Sequence, residues 1–281
     1  MNTFRIIPRI DVKGANVVKG IHLEGLRVLG TPNNFAKYYY NRGADEIIYM
    51  DVVASLYERN SLLDVVSKTA EDVFIPITVG GGLRSIDDIS KALMSGADKV
   101  CMNTAVIKDS TLITLAANKF GSSTIVVSLE VIRQPDGKYL VYTDNGREYS
   151  GKEAVEWAVN VEHLGAGEIL LTSVDREGTG KGLDIDLIKE ISREVNVPLI
   201  AHGGVGKIQD IERVANSTGA NAVALASILH YETIKHVEDE KDSNEGNRDF
   251  LNSGRMNKNI EECNINEIKR SLFDCGIEVR C

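Results

Sequence analysis

The 281-residue sequence predicts a single (β/α)8 barrel built from two homologous half-barrels. Three observations lead there: an internal repeat, eight short apolar runs, and amphipathic segments between them. The repeat organises the rest. GADEIIYMD from Gly43 returns as GAGEILLTS from Gly165, 122 residues on. Pro76 and Pro198 share that offset, as do Gly81 and Gly203. GADKVCMNTA from Gly96 matches GANAVALASI from Gly219 at an offset of 123. IIPRIDVK from Ile6 echoes IVVSLEVI from Ile125 at 119. The halves run over about 1–121 and 122–235.

Each half carries four strand candidates. In the first they are Arg5–Asp11, Glu46–Asp51, Ile75–Val79 and Asp98–Met102. In the second they are Thr124–Glu130, Glu168–Ser173, Pro198–His202 and Asn221–Leu225. All are rich in Val, Ile and Leu and nearly continuous, as strands covered on both faces should be. Between them, NNFAKYYYNRG, SIDDISKALMSG, KEAVEWAVNVEHLG and DIDLIKEISREV space their apolar residues by three and four. Several end in Gly, a helix C-cap signal. A doubly wound sheet would not explain why a set of four strands occurs twice. A polar stretch at about 238–260 reads as an insertion, and residues 265–276 read as the last barrel helix.

Composition narrows the function. The chain is 43% hydrophobic and 26% charged, which suits a soluble globular protein. A net charge of −9 argues against nucleic-acid or anionic-membrane partners. The start, MNTFRIIPRIDV, has no signal-peptide pattern, and no 18-residue apolar run exists, so a cytoplasmic protein is expected. Cys101, Cys263, Cys275 and Cys281 show no C-x-x-C spacing, which argues against zinc and for reduced thiols. No metal and no cofactor are expected.

Chemistry in such barrels sits at the C-terminal ends of the strands. Gly80, Gly81 and Gly82 end one strand, and Asn103, Thr104 and Ala105 end the next. Glycine admits an anion close to backbone N–H groups, and a helix start adds its dipole. The repeat supplies a second such place at Gly203, Gly204, Ala226 and Ser227. Two cradles would hold the two ends of a bisphosphorylated substrate. The loop DREGTGKG, Asp175–Gly182, would close over the second, bringing Gly178 to it. Between the cradles, Asp11 and Glu130 end equivalent strands and suit general acid–base work. Asp51 and Thr172 would orient substrate, and Lys13 and Lys19 would hold an anionic group. At the opposite end Arg5, Glu46, Lys99 and Glu168 start four strands, two cations and two anions around the lower opening.

The phrases IIPRIDVKGANVVKG, TVGGG, GADKVCMNTA, GAGEILLTSVDREGT and ALASILHY resemble the cyclase subunit of imidazole glycerol phosphate synthase. The resemblance covers about residues 4–235 and the final helix. It implies a heterodimer with a glutaminase, whose ammonia crosses the barrel. There it meets a ribulosyl bisphosphate-type substrate, giving imidazole glycerol phosphate and an aminoimidazole carboxamide nucleotide. It implies that Asp11 is a general acid/base, that Lys19 is the loop lysine, and that Arg5, Glu46, Lys99 and Glu168 form the ammonia gate. Four positions depart from the family: Glu130 replaces an aspartate, Arg9 a cysteine, His202 a serine and Glu177 an aspartate. Residues 5, 7, 9 and 11 share a strand face, so Arg9 should point into the barrel. A buried cation needs a partner, and Glu130 or Asp51 is expected to supply it. These departures keep an alternative open: a cyclase-like paralogue receiving ammonia to amidate a surface-polysaccharide sugar.

Overall fold

A computed structural model describes residues 3–53, 62–237 and 258–280. Eight parallel strands close a barrel: β1 (Arg5–Lys13), β4 (Ile47–Asp51), β5 (Ile77–Gly80), β6 (Lys99–Met102), β7 (Ile125–Arg133), β10 (Glu168–Ser173), β11 (Leu199–His202) and β12 (Ala222–Leu225). They pair in that order, and β12 returns to pair with β1. Every expected strand is present, with ends that agree to within a few residues.

The segment after the first strand, which carries the loop lysine Lys19, is a hairpin of β2 (Asn16–Ile21) and β3 (Glu24–Gly30). The second half has its equivalent in β8 (Tyr139–Thr143) and β9 (Glu148–Glu153). Both turn on two consecutive left-handed residues: His22 and Leu23 at φ 53° and 62°, Asp144 and Asn145 at 52° and 60°. These pairs stand 122 positions apart, so the repeat extends into the mouth of the barrel.

The helices among the described residues are α1 (Pro32–Asn41), α2 (Leu62–Asp72), α3 (Ile86–Met94), α4 (Thr104–Lys108), α5 (Thr111–Phe120), α6 (Ala154–His163), α7 (Ile185–Glu194), α8 (Ile208–Ser217), α9 (Ser227–Thr233) and α10 (Ile265–Asp274). Ser85 caps α3 by accepting from the Asp88 N–H, and Asp184 caps α7 by accepting from the Leu187 N–H. The last helix ends at Asp274, two residues before its expected end. The insertion at 238–260 lies, apart from its last three residues, outside the described residues.

The core has two parts. A large apolar layer lies between strands and helices, including Ile6, Ile10, Phe35, Ile47 and Val127. A smaller cluster fills the lumen: Ile7, Ile48, Cys101, Val126, Leu170, Ile200, Ala222 and Ala224. The lumen is thus a packed plug, charged at one end and polar at the other.

Candidate functional site

At the N-terminal end, the four charged side chains form a closed ring. Arg5 donates to Glu46 and Glu168, each at 2.5 Å, and Lys99 donates to the same two carboxylates at 2.9 Å. Each charge touches two of opposite sign, so the ring is electrostatically complete. Its side chains are 5% to 20% exposed, leaving it in contact with solvent only from below.

At the other end lies a cavity of about 310 Å³, lined by Asp51, Gly81, Gly82, Asn103, Thr104 and Glu130, with Lys108 and Arg84 at its side. Six of the proposed site residues therefore share one space. The Gly81 α-carbon is tightly packed: a Cβ on it would come within 2.3 Å of the Asp51 carbonyl, at φ 95°. Gly203, its repeat partner, would meet the Ser173 carbonyl at 2.6 Å, at φ 97°. Both glycines are therefore required by the packing of the turn itself, quite apart from any anion. Asn103 and Ala226 flank α4 and α9 with no side-chain cap bond. The N–H groups opening both helices thus have no capping side chain of their own.

The second candidate cradle is much tighter. Gly178, Gly203, Gly204, Ala226 and Ser227 line a space of about 20 Å³, enough for about one water. The loop after β10 packs onto it, the Gly182 N–H donating to the Gly204 carbonyl at 2.7 Å. Gly178 faces the first hairpin, where a Cβ would come within 2.8 Å of the Gly20 carbonyl.

Lys19 is buried in that contact and ion-pairs with Glu177. Glu177 also accepts from the Leu23 N–H at 3.0 Å, and the His22 N–H donates to the Glu177 carbonyl at 3.0 Å. Glu177 thereby ties down the left-handed turn at His22 and Leu23, a conformation costly for such side chains. Lys13 is exposed at the end of β1, away from this cluster.

Arg9 points into the lumen as the strand alternation requires, but its expected partner is wrong. Its Nε donates to Asp11 Oδ1 at 2.8 Å, rather than to Glu130 or Asp51. Asp11 lies two residues along on the same strand face, which places its carboxylate beside the guanidinium. Arg9 NH1 continues to Thr172 Oγ1 at 3.4 Å and His202 Nδ1 at 3.3 Å. Burial, then Arg9, Lys19 and His230, push His202 well below its ordinary pKa. An arginine can only donate, so Nδ1 accepts from Arg9 and lies 3.1 Å from Thr172 Oγ1, which puts the ring proton on Nε2.

Glu130 takes a different partner. Its Oε2 accepts from the Gly146 N–H at 2.8 Å, in the turn of the second hairpin. Burial raises its pKa, and Arg9, Gly146 and Asn103 only partly counter that rise. The turn also sends Asn145 Nδ2 across to the Val52 carbonyl at 2.7 Å, roofing the cavity. Asp144, Asn145 and Gly146 were missed as site residues in the sequence. The tripeptide DNG after an alternating KYLVYT run was the available signal.

Comparison with known proteins settles the family. The profile of the family described as histidine biosynthesis protein matches residues 5–235. The chain belongs to the histidine biosynthesis protein family. It is 57% identical over 210 residues to an imidazole glycerol phosphate synthase subunit HisF of Legionella pneumophila, covering 75% of this chain and 99% of the relative. The HisF subunit of Alkaliphilus metalliredigens is 47% identical over 234 residues, 83% of this chain and 93% of the relative. That of Lactococcus lactis is 45% identical over 243 residues, 85% and 94%. Within this histidine biosynthesis family, the matched span contains the whole barrel except its final helix. No helix among the described residues is long and apolar enough to cross a membrane.

Proposed function

We propose that the chain is the cyclase subunit of an imidazole glycerol phosphate synthase, a lyase-type enzyme of histidine biosynthesis. It uses glutamine-derived ammonia to convert a bisphosphorylated ribulosyl aminoimidazole into imidazole glycerol phosphate and an aminoimidazole carboxamide nucleotide. The observation that carries the reading is a pair of matched turns at the strand ends, with the buried Glu130 carboxyl group lining the cavity at the first of them and Asp11 buried at the end of β1. Those turns, around Gly81–Thr104 and Gly203–Ser227, suit the two phosphates of such a substrate. The small second cradle opens when the loop carrying Gly178 lifts from Gly204. Asp51 and Thr172 then bound the middle of the substrate, and Lys19 reaches it by exchanging Glu177 for a phosphate.

The partner is a glutaminase docked on the N-terminal end. The charged ring supports this, and so does a set of exposed apolar side chains at that end. Phe74 is 76% exposed just before β5, Met94 is 85% exposed at the end of α3, and Phe273 is 66% exposed near the end of α10. Helices run antiparallel to the strands, so these positions surround the strand starts. Exposed apolar groups around a polar opening suit a protein interface. A cytoplasmic setting fits the free thiols of Cys101, Cys263 and Cys275.

The test is turnover of the bisphosphorylated intermediate by the purified chain with ammonium supplied directly, the two products being separated and weighed by mass spectrometry. Both products are expected in equal amounts. Tight binding of the intermediate without either product would overturn the reading.

A further inference from the structure

The side chain of Arg9 crosses the barrel. From β1, the strand order passes through β12 to β11 and then β10, so His202 lies two strands away and Thr172 three. The guanidinium nevertheless reaches both while its Nε holds Asp11, and only 2% of the residue is exposed. It lies one inward-facing position below Asp11, above the apolar plug to which Ile7 contributes. We propose that Arg9 is a positioning residue: its guanidinium, strung across the lumen, holds the Asp11 side chain in one orientation at the end of β1, while Glu130, held by a backbone N–H, is the group that gives and takes the proton. The proposal rests on the synthase reading of the mouth.

The two acids differ in geometry before any titration is considered. Asp11 is held by a charged donor that cannot lose its proton in a protein. Glu130 is held at one oxygen by a neutral backbone N–H. A buried carboxyl group on a neutral donor takes a proton more easily, and burial raises the Glu130 pKa. The ionisable neighbours that act on this arrangement are Arg9 and Asp144 at Glu130, Asp11, Glu177 and Glu130 at Arg9, and Arg9, Lys19 and His230 at His202. His202 itself stays neutral. It accepts from Arg9 beside Thr172, so it orients the far end of the guanidinium and adds no competing charge.

Two readouts test this. The first needs no substrate. In ¹⁵N spectra of the full chain, the Arg9 Nε–H should be slow to exchange, and Asp11→Asn should speed that exchange by about tenfold or more. Indifference of the Arg9 signal to Asp11→Asn overturns the proposal. The second is kinetic, with ammonium supplied directly. Arg9→Met should lower kcat by about 100-fold while KM changes by less than about threefold. The pH limb belonging to Glu130 should move upward, because a nearby cation has been removed. Arg9→Lys, which keeps the charge, should recover part of kcat. Unchanged kcat and pH profile in Arg9→Met, or in Arg9→Lys should Met not fold, also overturn it. Absence of turnover by the unaltered chain would overturn the synthase reading, and the exchange measurement would still decide whether Arg9 holds Asp11.

Discussion

Asn103 and Ala226 stand 123 positions apart and share one rare backbone conformation, φ −131°, ψ −85° and φ −124°, ψ −87°. Each precedes a short helix that begins at a hydroxyl residue, Thr104 or Ser227. The shared conformation turns each strand end into a helix start, one in each half of the barrel.

Thr104→Ala and Ser227→Ala should each weaken binding of a bisphosphate ligand by about tenfold, the loss of one hydrogen bond to a charged group. Melting temperature should change little. Calorimetric titration with the bisphosphorylated intermediate measures the effect, and unchanged affinity in both variants would remove the two-cradle reading. Gly204→Val is a poorer probe. Its Cβ would come within 2.4 Å of the Gly182 carbonyl, so that variant should lose stability as well as affinity.

Lys99→Ala removes one of the two cations that Glu46 and Glu168 share, leaving Arg5 to hold both. Glutamine-driven turnover in the presence of the glutaminase should fall several-fold, while ammonium-driven turnover is retained. Comparison of the two rates in one preparation decides it. An equal loss in both would mean that the ring supports the fold alone.

Glu130 should also make stability depend on pH. Its folded pKa lies above that of an unfolded glutamate, about 4.3, because burial disfavours the charge. The folded state therefore binds the proton more tightly. That contribution is fully present below the unfolded pKa and is lost as pH rises through the folded value. Glu130→Gln has no such loss, so its melting temperature should gain on the unaltered protein as pH rises from 4 to 8. A parallel pair of melting curves across that range would contradict the assignment. The same variant should lose most of its turnover.

Glu177→Ala should release the first hairpin. It removes both the partner of Lys19 and the acceptor that holds the Leu23 N–H. Amide exchange over residues 16–30 should quicken by about tenfold or more, without change in the barrel strands. Exchange that stays the same would show that the remaining contacts alone hold the hairpin down.

The barrel could be read in the sequence because each of its signals is local and each occurs twice. Strand runs such as Glu168–Ser173 are apolar throughout, and Gly43 and Gly165 mark the ends of equivalent helices. The charged ring was equally legible, since Arg5, Lys99 and Glu168 are the first residues of their strands and Glu46 just precedes its own. The first hairpin was not. Its second turn residue, Leu23, is a poor former of a left-handed turn and relies on Glu177, which lies more than 150 positions away. The partner of Arg9 was hidden for another reason. Strand alternation fixes which way a side chain points, but the choice among Asp11, Asp51 and Glu130 depends on the path of a long flexible arm across the lumen. The small volume of the second cradle likewise depends on how the loop after β10 packs, which no local pattern in DREGTGKG encodes.

The path of the ammonia joins the charged ring at one end to the two carboxyl groups at the other, and one isotope experiment tests that join most directly. The chain and its glutaminase are supplied with amide-¹⁵N glutamine, the bisphosphorylated intermediate and excess unlabelled ammonium. If ammonia enters through the ring and reacts at Asp11 and Glu130, the imidazole product should carry ¹⁵N well above its share of the free ammonium pool. Product labelled only in proportion to that pool, or no imidazole product at all, would contradict it.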